Sequence, residues 1–229
     1  MKKCLIFICV FGLIAAVFSK YKKESIPVFA TDAERFKYEY EAVNGKHDKN
    51  GMKIRTLSIA EDNPIIYASY IDIVQYMERG ESFGVYFGYA ECPWCRSCIE
   101  AILESALECG IDSVYYVDIH NNRDVFEIKN GNVIKTQNGE DGYSLLLSKL
   151  ENVLSDYILY DTDDKEYKVG EKRIYAPNLI IVKDGTAVKL AKDDDLFEDP
   201  YGDITEEMYQ DMKEIYMKTF SVLKEGMSW

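Results

Sequence analysis

The order of apolar and polar positions predicts alternating strands and helices over the first half of the chain. Apolar segments at 53–59, 83–87 and 113–119 have the length and composition of strands. Two amphipathic helices lie between them: one runs from Ser69 to Arg79 behind a Ser69/Asp72 capping-box pattern, and the other begins near Cys92 and stops at Gly110. This alternation predicts an α/β fold with parallel neighbouring strands and right-handed crossovers.

The pattern changes after residue 120. Asn130-Gly131 between 125–129 and 132–136 predicts a hairpin, and apolar residues at helical spacing predict a helix over 142–158. A polar stretch at 161–172 leads to a strand at 176–183, which Asp184-Gly185 turns into a second strand at 186–190. A last amphipathic helix is predicted over 205–224, and a short exposed helix precedes the whole arrangement at 31–43.

Length and charge limit the classes of protein that the chain can belong to. A chain of 229 residues with 47% hydrophobic and 13% aromatic residues holds one well-packed domain. Its net charge of −13 argues against a nucleic-acid partner, because binding phosphate requires a basic surface. We predict an N-terminal extension at 20–52, a main domain at 53–224 interrupted by a segment at about 121–175, and a tail at 225–229.

Residues 1–19 have the pattern of a secretory signal. Lys2 and Lys3 precede an unbroken apolar run at 4–18, and Val17-Phe18-Ser19 offers a cleavage site. The run is shorter than the roughly 20 residues that span a bilayer, although an uncleaved anchor is an alternative. We therefore expect an exported, extracytoplasmic protein, either secreted or anchored to the membrane through this segment.

The chemistry that the sequence suggests is centred on Cys92-Pro93-Trp94-Cys95, which joins the strand at 83–87 to the following helix. Two cysteines three positions apart at such a junction are typical of a redox pair. The helix N-terminus is expected to stabilise the Cys92 thiolate, and Arg96 to add positive charge. Pro93 fits the first helical turn, where its missing N–H has no partner to lose.

These residues resemble the thioredoxin superfamily over about 53–224, apart from the interrupting segment. The resemblance rests on the strand and turn at 83–95 and on a downstream hairpin introduced by Ala176-Pro177 with Lys183-Asp184-Gly185 at its turn. With the signal and the segments at 61–64, 85–97 and 170–177, the chain is similar to bacterial extracytoplasmic thioredoxin-like proteins of the bacteriocin-transport-accessory type. The implied architecture is a thioredoxin-like fold, with a central mixed sheet flanked by helices, an N-terminal helical extension and an inserted hairpin-plus-helix segment.

The resemblance also implies the site and its chemistry. Pro177 is expected to be cis and to stand opposite the Cys92 sulfur, so that the Ala176 backbone can pair with an extended substrate strand. Cys92 and Cys95 are then the catalytic residues, their disulfide is the only redox group, and Trp94, Ala176 and Pro177 contact the substrate. One position departs from the family: thioredoxins carry a buried aspartate in the central strand where this chain has Tyr86.

The leading functional hypothesis is a thiol-disulfide oxidoreductase that acts on cysteine-containing exported proteins or peptides, with a membrane electron donor or acceptor as a further partner. One alternative is a non-catalytic accessory protein for peptide export or surface assembly, with the segment at 121–175 as its partner surface.

A second alternative is a metal carrier that uses Cys92, Cys95 and Cys98, which for structural zinc would need a fourth ligand. The two histidines, His47 and His120, fall in polar stretches, and nothing in the sequence places either near the thiols. We expect Cys98 to be a packed thiol instead, Cys109 to be structural, and the acidic residues at 193–195, 198 and 199 to form a solvated loop rather than a calcium site.

Overall fold

The structure is a computed structural model, and it describes residues 27–192, 196 and 198–224. The predicted signal at 1–19, the tail at 225–229 and the acidic residues 193–195 lie outside the described residues. In the part of the chain that is described, no helix is both long enough and apolar enough to cross a membrane. The helices and strands all belong to one compact unit that begins at Thr31.

The described residues form five helices and nine strands. The helices are α1 (Asp32–Glu41), α2 (Tyr70–Glu78), α3 (Pro93–Glu108), α4 (Tyr143–Leu150) and α5 (Glu206–Ser221). The strands are β1 (Ile65–Tyr67), β2 (Phe83–Gly88), β3 (Val114–Asp118), β4 (Val125–Lys129), β5 (Asn132–Gln137), β6 (Ser155–Tyr160), β7 (Glu166–Arg173), β8 (Asn178–Lys183) and β9 (Thr186–Leu190).

Five strands form one mixed sheet in the order β1-β3-β2-β8-β9. The pairs β1/β3 and β2/β3 are parallel, whereas β2/β8 and β8/β9 are antiparallel. This arrangement confirms the predicted α/β class with a central mixed sheet. Strand β2 lies in the middle and is buried along its whole length, so the residues that follow it start from a rigid position.

Helices cover both faces of the sheet. Phe83, Val85 and Phe87 of β2 belong to one buried cluster together with apolar residues of α2 and α4. Tyr86 belongs to the opposite cluster, which includes residues of α1, α3 and α5. The alternation of side chains along β2 therefore directs Tyr86 toward the helix that carries the cysteines.

Several local predictions are confirmed. Ser69 and Asp72 form a reciprocal capping box at the start of α2, and the β4–β5 hairpin turns through Asn130 and Gly131, both with positive φ. The β8–β9 hairpin turns through Asp184 and Gly185. The Thr205 side chain caps α5 as predicted.

The first predicted strand, at 53–59, is wrong: this segment forms no strand of the sheet, and the strand is Ile65–Tyr67. Ile54, Leu57 and Ile59 are buried, which explains the apolar pattern. Side chains satisfy the backbone here, because Leu57 N–H donates to Asn44 Oδ1 (3.0 Å) and Ile59 N–H donates to Glu41 Oε1 (2.8 Å). The apolar spacing therefore indicated correctly that these side chains are buried, but it did not show whether the backbone pairs as a strand.

The predicted N-terminal helix is correct in position, but it is not an exposed element. Phe36 and Tyr40 are fully buried, and both rings pack at the edge of the Tyr116 ring of β3. Helix α1 is thus part of the core rather than an appendage to it.

The prediction for 142–172 also needs correction. The helix ends at Leu150 instead of 158, and the following residues form an antiparallel ribbon of β6 and β7. The turn of this ribbon is organised by Asp161, whose carboxylate accepts the N–H groups of Asp163 (2.9 Å) and Lys165 (3.0 Å). Such a turn is typical of aspartate, and it allows the polar stretch to fold back as a strand.

Candidate active site

Strand β2 and helix α3 place Cys92 at the N-terminus of a 16-residue helix. Cys92 is the N-cap residue, its Sγ accepts the N–H of Cys95 at 3.3 Å, and Pro93 occupies the first helical turn. An N-cap sulfur in this position faces the unpaired N–H groups and the positive end of the helix dipole. The local geometry therefore favours a thiolate at Cys92.

The surroundings of Cys92 lower the pKa of its thiol. The largest cause is a hydrogen bond with the Cys95 side chain, which burial opposes. The backbone N–H groups of Cys95 and Trp94 and the Tyr89 side chain add to the lowering. Cys92 retains 3% exposure, and its sulfur in the thiol form donates to the carbonyl oxygen of Ala176 at 3.6 Å.

Cys95 differs from Cys92 in both burial and acidity. It has no exposed surface, and burial raises the pKa of its thiol well above the ordinary value, with Cys92 and Cys98 acting in the same direction. Contact with the Tyr86 side chain lowers the Cys95 pKa and opposes these effects. One thiol of the pair is thus poised to ionise and the other is held protonated.

Arg96 is not among the main causes of the lowered Cys92 pKa. Its side chain is buried, and its guanidinium donates to the carbonyl oxygens of Tyr40 (2.8 Å), Arg55 (2.8 Å) and Ala90 (2.9 Å), as well as to Asn44 Oδ1 (2.5 Å). These contacts connect α1, the segment at 53–59 and the turn before Cys92. Arg96 therefore has a bracing role: its hydrogen bonds hold together the three parts of the chain that surround the start of α3.

The Ala176-Pro177 segment reaches Cys92 from the antiparallel side of the sheet. The Ala176–Pro177 bond is cis, and Tyr175 N–H donates to Asn178 Oδ1 at 2.8 Å just before β8. Since Phe87 pairs with Asn178 across β2 and β8, the two segments meet at the same end of the sheet. The structure thus brings together Cys92, Cys95 and Ala176, which are distant in sequence.

A groove of about 560 Å³ lies next to this meeting point. Trp94, Ala176 and Pro177 line one part of it, and Ile158 and Tyr160 of β6 line another. Trp94 and Tyr160 are 38% and 62% exposed. Strand β6 of the β6–β7 ribbon, a ribbon that the sequence pattern had assigned to a helix and a loop, therefore forms a wall beside the candidate site.

Sequence reasoning missed Tyr89 and the role of His120. The Tyr89 side chain lies close enough to Cys92 to be affected by its charge, and burial together with that charge raises the pKa of Tyr89 to about 12. The ring of His120 stacks on Tyr89 at 4.6 Å with an interplanar angle of 7°, and His120 Nδ1 lies 3.9 Å from Glu91 Oε2. The position of Tyr89 three residues before Cys92 was the available signal.

The other predicted thiols pack within the structure. Cys98 is fully buried and donates to the Cys95 carbonyl oxygen at 3.4 Å, whereas Cys109 donates to the Met217 carbonyl oxygen at 3.7 Å. His47 forms an isolated bridge with Lys53. Within the described ranges, no three His, Cys, Asp or Glu side chains converge in a way that could hold a metal ion.

Comparisons of the chain with protein-family models, with curated proteins and with solved structures gave no match. The functional assignment therefore depends on the sequence motifs and on the geometry of this site.

Proposed function

We propose that this protein is an extracytoplasmic thiol-disulfide oxidoreductase that exchanges disulfides with cysteine-containing exported proteins or peptides. The observation that carries the proposal is the asymmetry of the dithiol: the pKa of Cys92 is lowered at a helix N-terminus, whereas burial raises the pKa of its neighbour Cys95. A nucleophilic thiol beside a protected resolving thiol is the arrangement that stepwise disulfide exchange requires.

The reaction proceeds in two exchanges. The Cys92 thiolate attacks one sulfur of a substrate disulfide, a Cys92–substrate disulfide forms, and the other substrate sulfur leaves as a thiolate that takes up a proton. Cys95 then loses its proton and attacks the Cys92 sulfur, which releases the second substrate thiol and leaves a Cys92–Cys95 disulfide. Two electrons pass from the protein to the substrate, and the reverse sequence donates a disulfide. A membrane electron donor or acceptor would restore the starting form.

The groove supports a polypeptide substrate over a small one. Its lining combines the Trp94, Ile158 and Tyr160 side chains with the backbone around Ala176 and Pro177. An extended segment can place apolar side chains in such a groove while its own backbone pairs with exposed peptide groups.

A thioredoxin-like fold and an exported location are parts of the same proposal. The fold is supported by the way β2 leads into the cysteine helix and by the position of Ala176-Pro177 before the β8–β9 hairpin. Export is supported by the charged and apolar pattern of residues 1–19.

The test uses purified full-length protein and insulin, whose disulfides provide a protein substrate. With dithiothreitol as the electron donor, the wild-type protein should accelerate insulin reduction, and Cys92→Ser and Cys95→Ser should abolish the acceleration. Cys109→Ser is the matched control and should retain it. Wild-type protein that fails to accelerate reduction, together with a dithiol that does not oxidise and reduce reversibly in glutathione mixtures, would contradict the proposal.

An accessory role in peptide export or surface assembly is a second candidate, because the β6–β7 ribbon presents the exposed Tyr160 side chain beside the site. Cells provide the discriminating experiment. Cys95→Ala should trap substrates on Cys92 as mixed disulfides if the protein is an oxidoreductase. If the accessory role is correct, no such adducts form, Cys92→Ala leaves export intact, and Tyr160→Ala impairs it.

A further inference from the structure

Tyr86 occupies a buried position in the same packed cluster as the dithiol. It is fully buried in β2 and shares a packed cluster with Cys92, Cys95 and Cys98. Gly88 lies two residues further on the same face, and a Cβ at Gly88 would come within 2.5 Å of the Tyr86 hydroxyl oxygen. The absence of a side chain at Gly88 therefore lets the Tyr86 ring extend toward the end of the strand from which the cysteine turn departs.

Three tyrosine side chains, Tyr40, Tyr86 and Tyr116, pack in the buried cluster that contains the cysteines. The Tyr86 and Tyr40 oxygens are 3.4 Å apart, and Tyr116 donates to the Gly88 carbonyl oxygen at 3.4 Å. Each hydroxyl has one proton to donate. When Tyr40 donates to Tyr86, the Tyr86 proton is left for another acceptor, and the Tyr86 side chain and the Cys95 thiol lie close enough in this cluster for each to shift the pKa of the other.

The reaction requires a hydrogen-bond donor at this place. Cys95 must lose its proton to attack the mixed disulfide, yet it has no exposed surface from which water could solvate a thiolate. Burial raises the pKa of Tyr86 well above its ordinary value, so its hydroxyl stays protonated and acts as a donor rather than a base. Among the described residues, the titratable groups that act on Cys95 or feel its charge include Cys92, Cys98, Tyr86, Tyr40, Tyr116 and Tyr89.

We propose that Tyr86 is a catalytic residue of the resolving step, in which its hydroxyl donates a hydrogen bond to the Cys95 sulfur as the thiolate forms and attacks Cys92. The Cys95–Cys92 bond forms and the Cys92–substrate bond breaks. The Cys95 proton passes to the departing substrate sulfur, and Tyr86 keeps its own proton. This inference rests on the proposed disulfide exchange and assigns a residue to its second half.

The two exchanges can be timed separately with 5,5′-dithiobis(2-nitrobenzoate). Reduced full-length protein in which Cys4, Cys9 and Cys109 are replaced by serine should release one coloured thiolate when Cys92 attacks. A second should follow when Cys95 resolves the mixed disulfide, at a rate independent of reagent concentration. Tyr86→Phe, which deletes only the hydroxyl oxygen, should leave the first release within about twofold and slow the second about fivefold to tenfold at pH 7.

The pH profile separates catalysis from packing. The deficit of Tyr86→Phe should shrink as pH rises, because Cys95 then ionises without the hydrogen bond, whereas a packing defect would slow the reaction at every pH. Tyr40→Phe, which removes a hydroxyl one step further from the sulfur, is the matched control and should have a smaller effect.

If the second release is as fast in Tyr86→Phe as in the wild type, the role of Tyr86 is overturned and disulfide exchange stands. The same conclusion follows if Tyr86→Phe slows both releases equally at all pH values. A wild-type protein that releases no second thiolate would overturn the exchange mechanism itself, and the role of Tyr86 with it.

Discussion

The Sγ atom of Cys92 lies 3.6 Å from the carbonyl oxygen of Ala176, a residue 84 positions later in the chain. Cys92 begins the helix that follows β2, and Ala176 precedes β8, which pairs antiparallel with β2. The contact therefore follows from the pairing of two central strands rather than from a flexible loop. Sites carried by strand ends in this way hold their geometry with little reorganisation.

The lowered pKa of Cys92 predicts how its reactivity responds to pH. Because its pKa lies below the ordinary value, the thiolate and hence the alkylation rate should persist to lower pH than at Cys109, whose pKa burial raises. The two thiols share one chain, so Cys109 serves as an internal reference. Iodoacetamide labelling of reduced protein across pH, read by mass spectrometry of the two peptides, measures both midpoints. Coincident midpoints would contradict the prediction.

The lowered pKa of Cys92 can also be tested by changing Cys95. The Cys95 side chain is the largest cause of the lowered pKa at Cys92, and a hydrogen bond to a charged group contributes about 1.5–3 kcal/mol. Because nucleophilicity rises as the thiolate becomes more basic, the loss is partly offset, and Cys95→Ala should slow Cys92 alkylation at pH 7 about fourfold to fifteenfold. Cys95→Ser keeps a hydrogen-bond donor, so its rate of Cys92 alkylation should lie between those of the wild type and Cys95→Ala. A Cys95→Ala protein as reactive as wild type would exclude this cause.

The buried Arg96 side chain should matter for stability more than for chemistry. Its guanidinium satisfies carbonyl oxygens from three different parts of the chain, and lysine can satisfy only some of them because its donors radiate from one nitrogen. Arg96→Lys should lower the free energy of unfolding by about 2–4 kcal/mol. Urea unfolding of the reduced proteins measures the change.

Arg79 provides the comparison for Arg96. It pairs with Glu81 at 2.7 Å on the surface, and its side chain is 52% exposed. Arg79→Lys should change stability by less than about 0.5 kcal/mol. If the two lysine variants unfold at the same urea concentration, the bracing role of Arg96 is wrong.

Features that depend on neighbours in sequence could be predicted. The Ser69/Asp72 capping box, the Asn130-Gly131 turn and the position of Cys92 at a helix N-terminus each need only a few adjacent residues. The physical causes act within one turn of chain, so the residue types themselves carry the information.

Strand pairing could not be predicted in the same way. The segments 53–59 and 65–67 both carry buried apolar side chains, but only the second segment pairs with β3. The first is excluded because Glu41 and Asn44 of the preceding segment occupy its N–H groups. The apolar pattern of a segment cannot show that side chains from another part of the chain bind its N–H groups.

The candidate site was accessible to sequence reasoning only in part. Cys92, Cys95, Trp94, Ala176 and Pro177 were named from the motif and the resemblance. The stacking of Tyr89 on His120 and the contribution of β6 depend on how elements separated by 30 or more residues pack. Strand β6 was also hidden because Tyr157 continues the helical spacing of the preceding apolar residues, and β7 because it lies in a polar stretch.

The ribbon wall predicts selectivity for large substrates. Tyr160 lines the groove and is 62% exposed, so a bound polypeptide segment can cover it. Tyr160→Ala should lower kcat/KM for insulin about fivefold to thirtyfold, the range for truncating an aromatic contact worth about 1–2 kcal/mol. Oxidised glutathione is too small to fill the groove and should react unchanged.

Tyr38→Ala controls for the loss of an exposed tyrosine elsewhere, since Tyr38 is 51% exposed on α1 and does not line the groove. It should leave kcat/KM for insulin within about twofold. A Tyr160→Ala protein that reduces insulin as fast as the Tyr38→Ala protein would show that the substrate does not use this wall.

The close approach of Gly88 to Tyr86 predicts an energetic coupling between the two positions. A Cβ at Gly88 would lie 2.5 Å from the Tyr86 hydroxyl oxygen and 2.6 Å from the ring carbon that bears it, and both residues are buried in β2. Gly88→Ala should therefore lower the free energy of unfolding by about 1–3 kcal/mol through overpacking. Tyr86→Val creates the space that the new methyl group needs, so the double variant should be more stable than the sum of the single changes implies, by about 1 kcal/mol or more.

Gly84→Ala on the same face is the control: its Cβ would meet Phe220 at 3.1 Å and not Tyr86, so its effect should add to that of Tyr86→Val. Urea unfolding of the six proteins closes both cycles, and additive values for Gly88→Ala and Tyr86→Val would mean that the two side chains do not compete for this space.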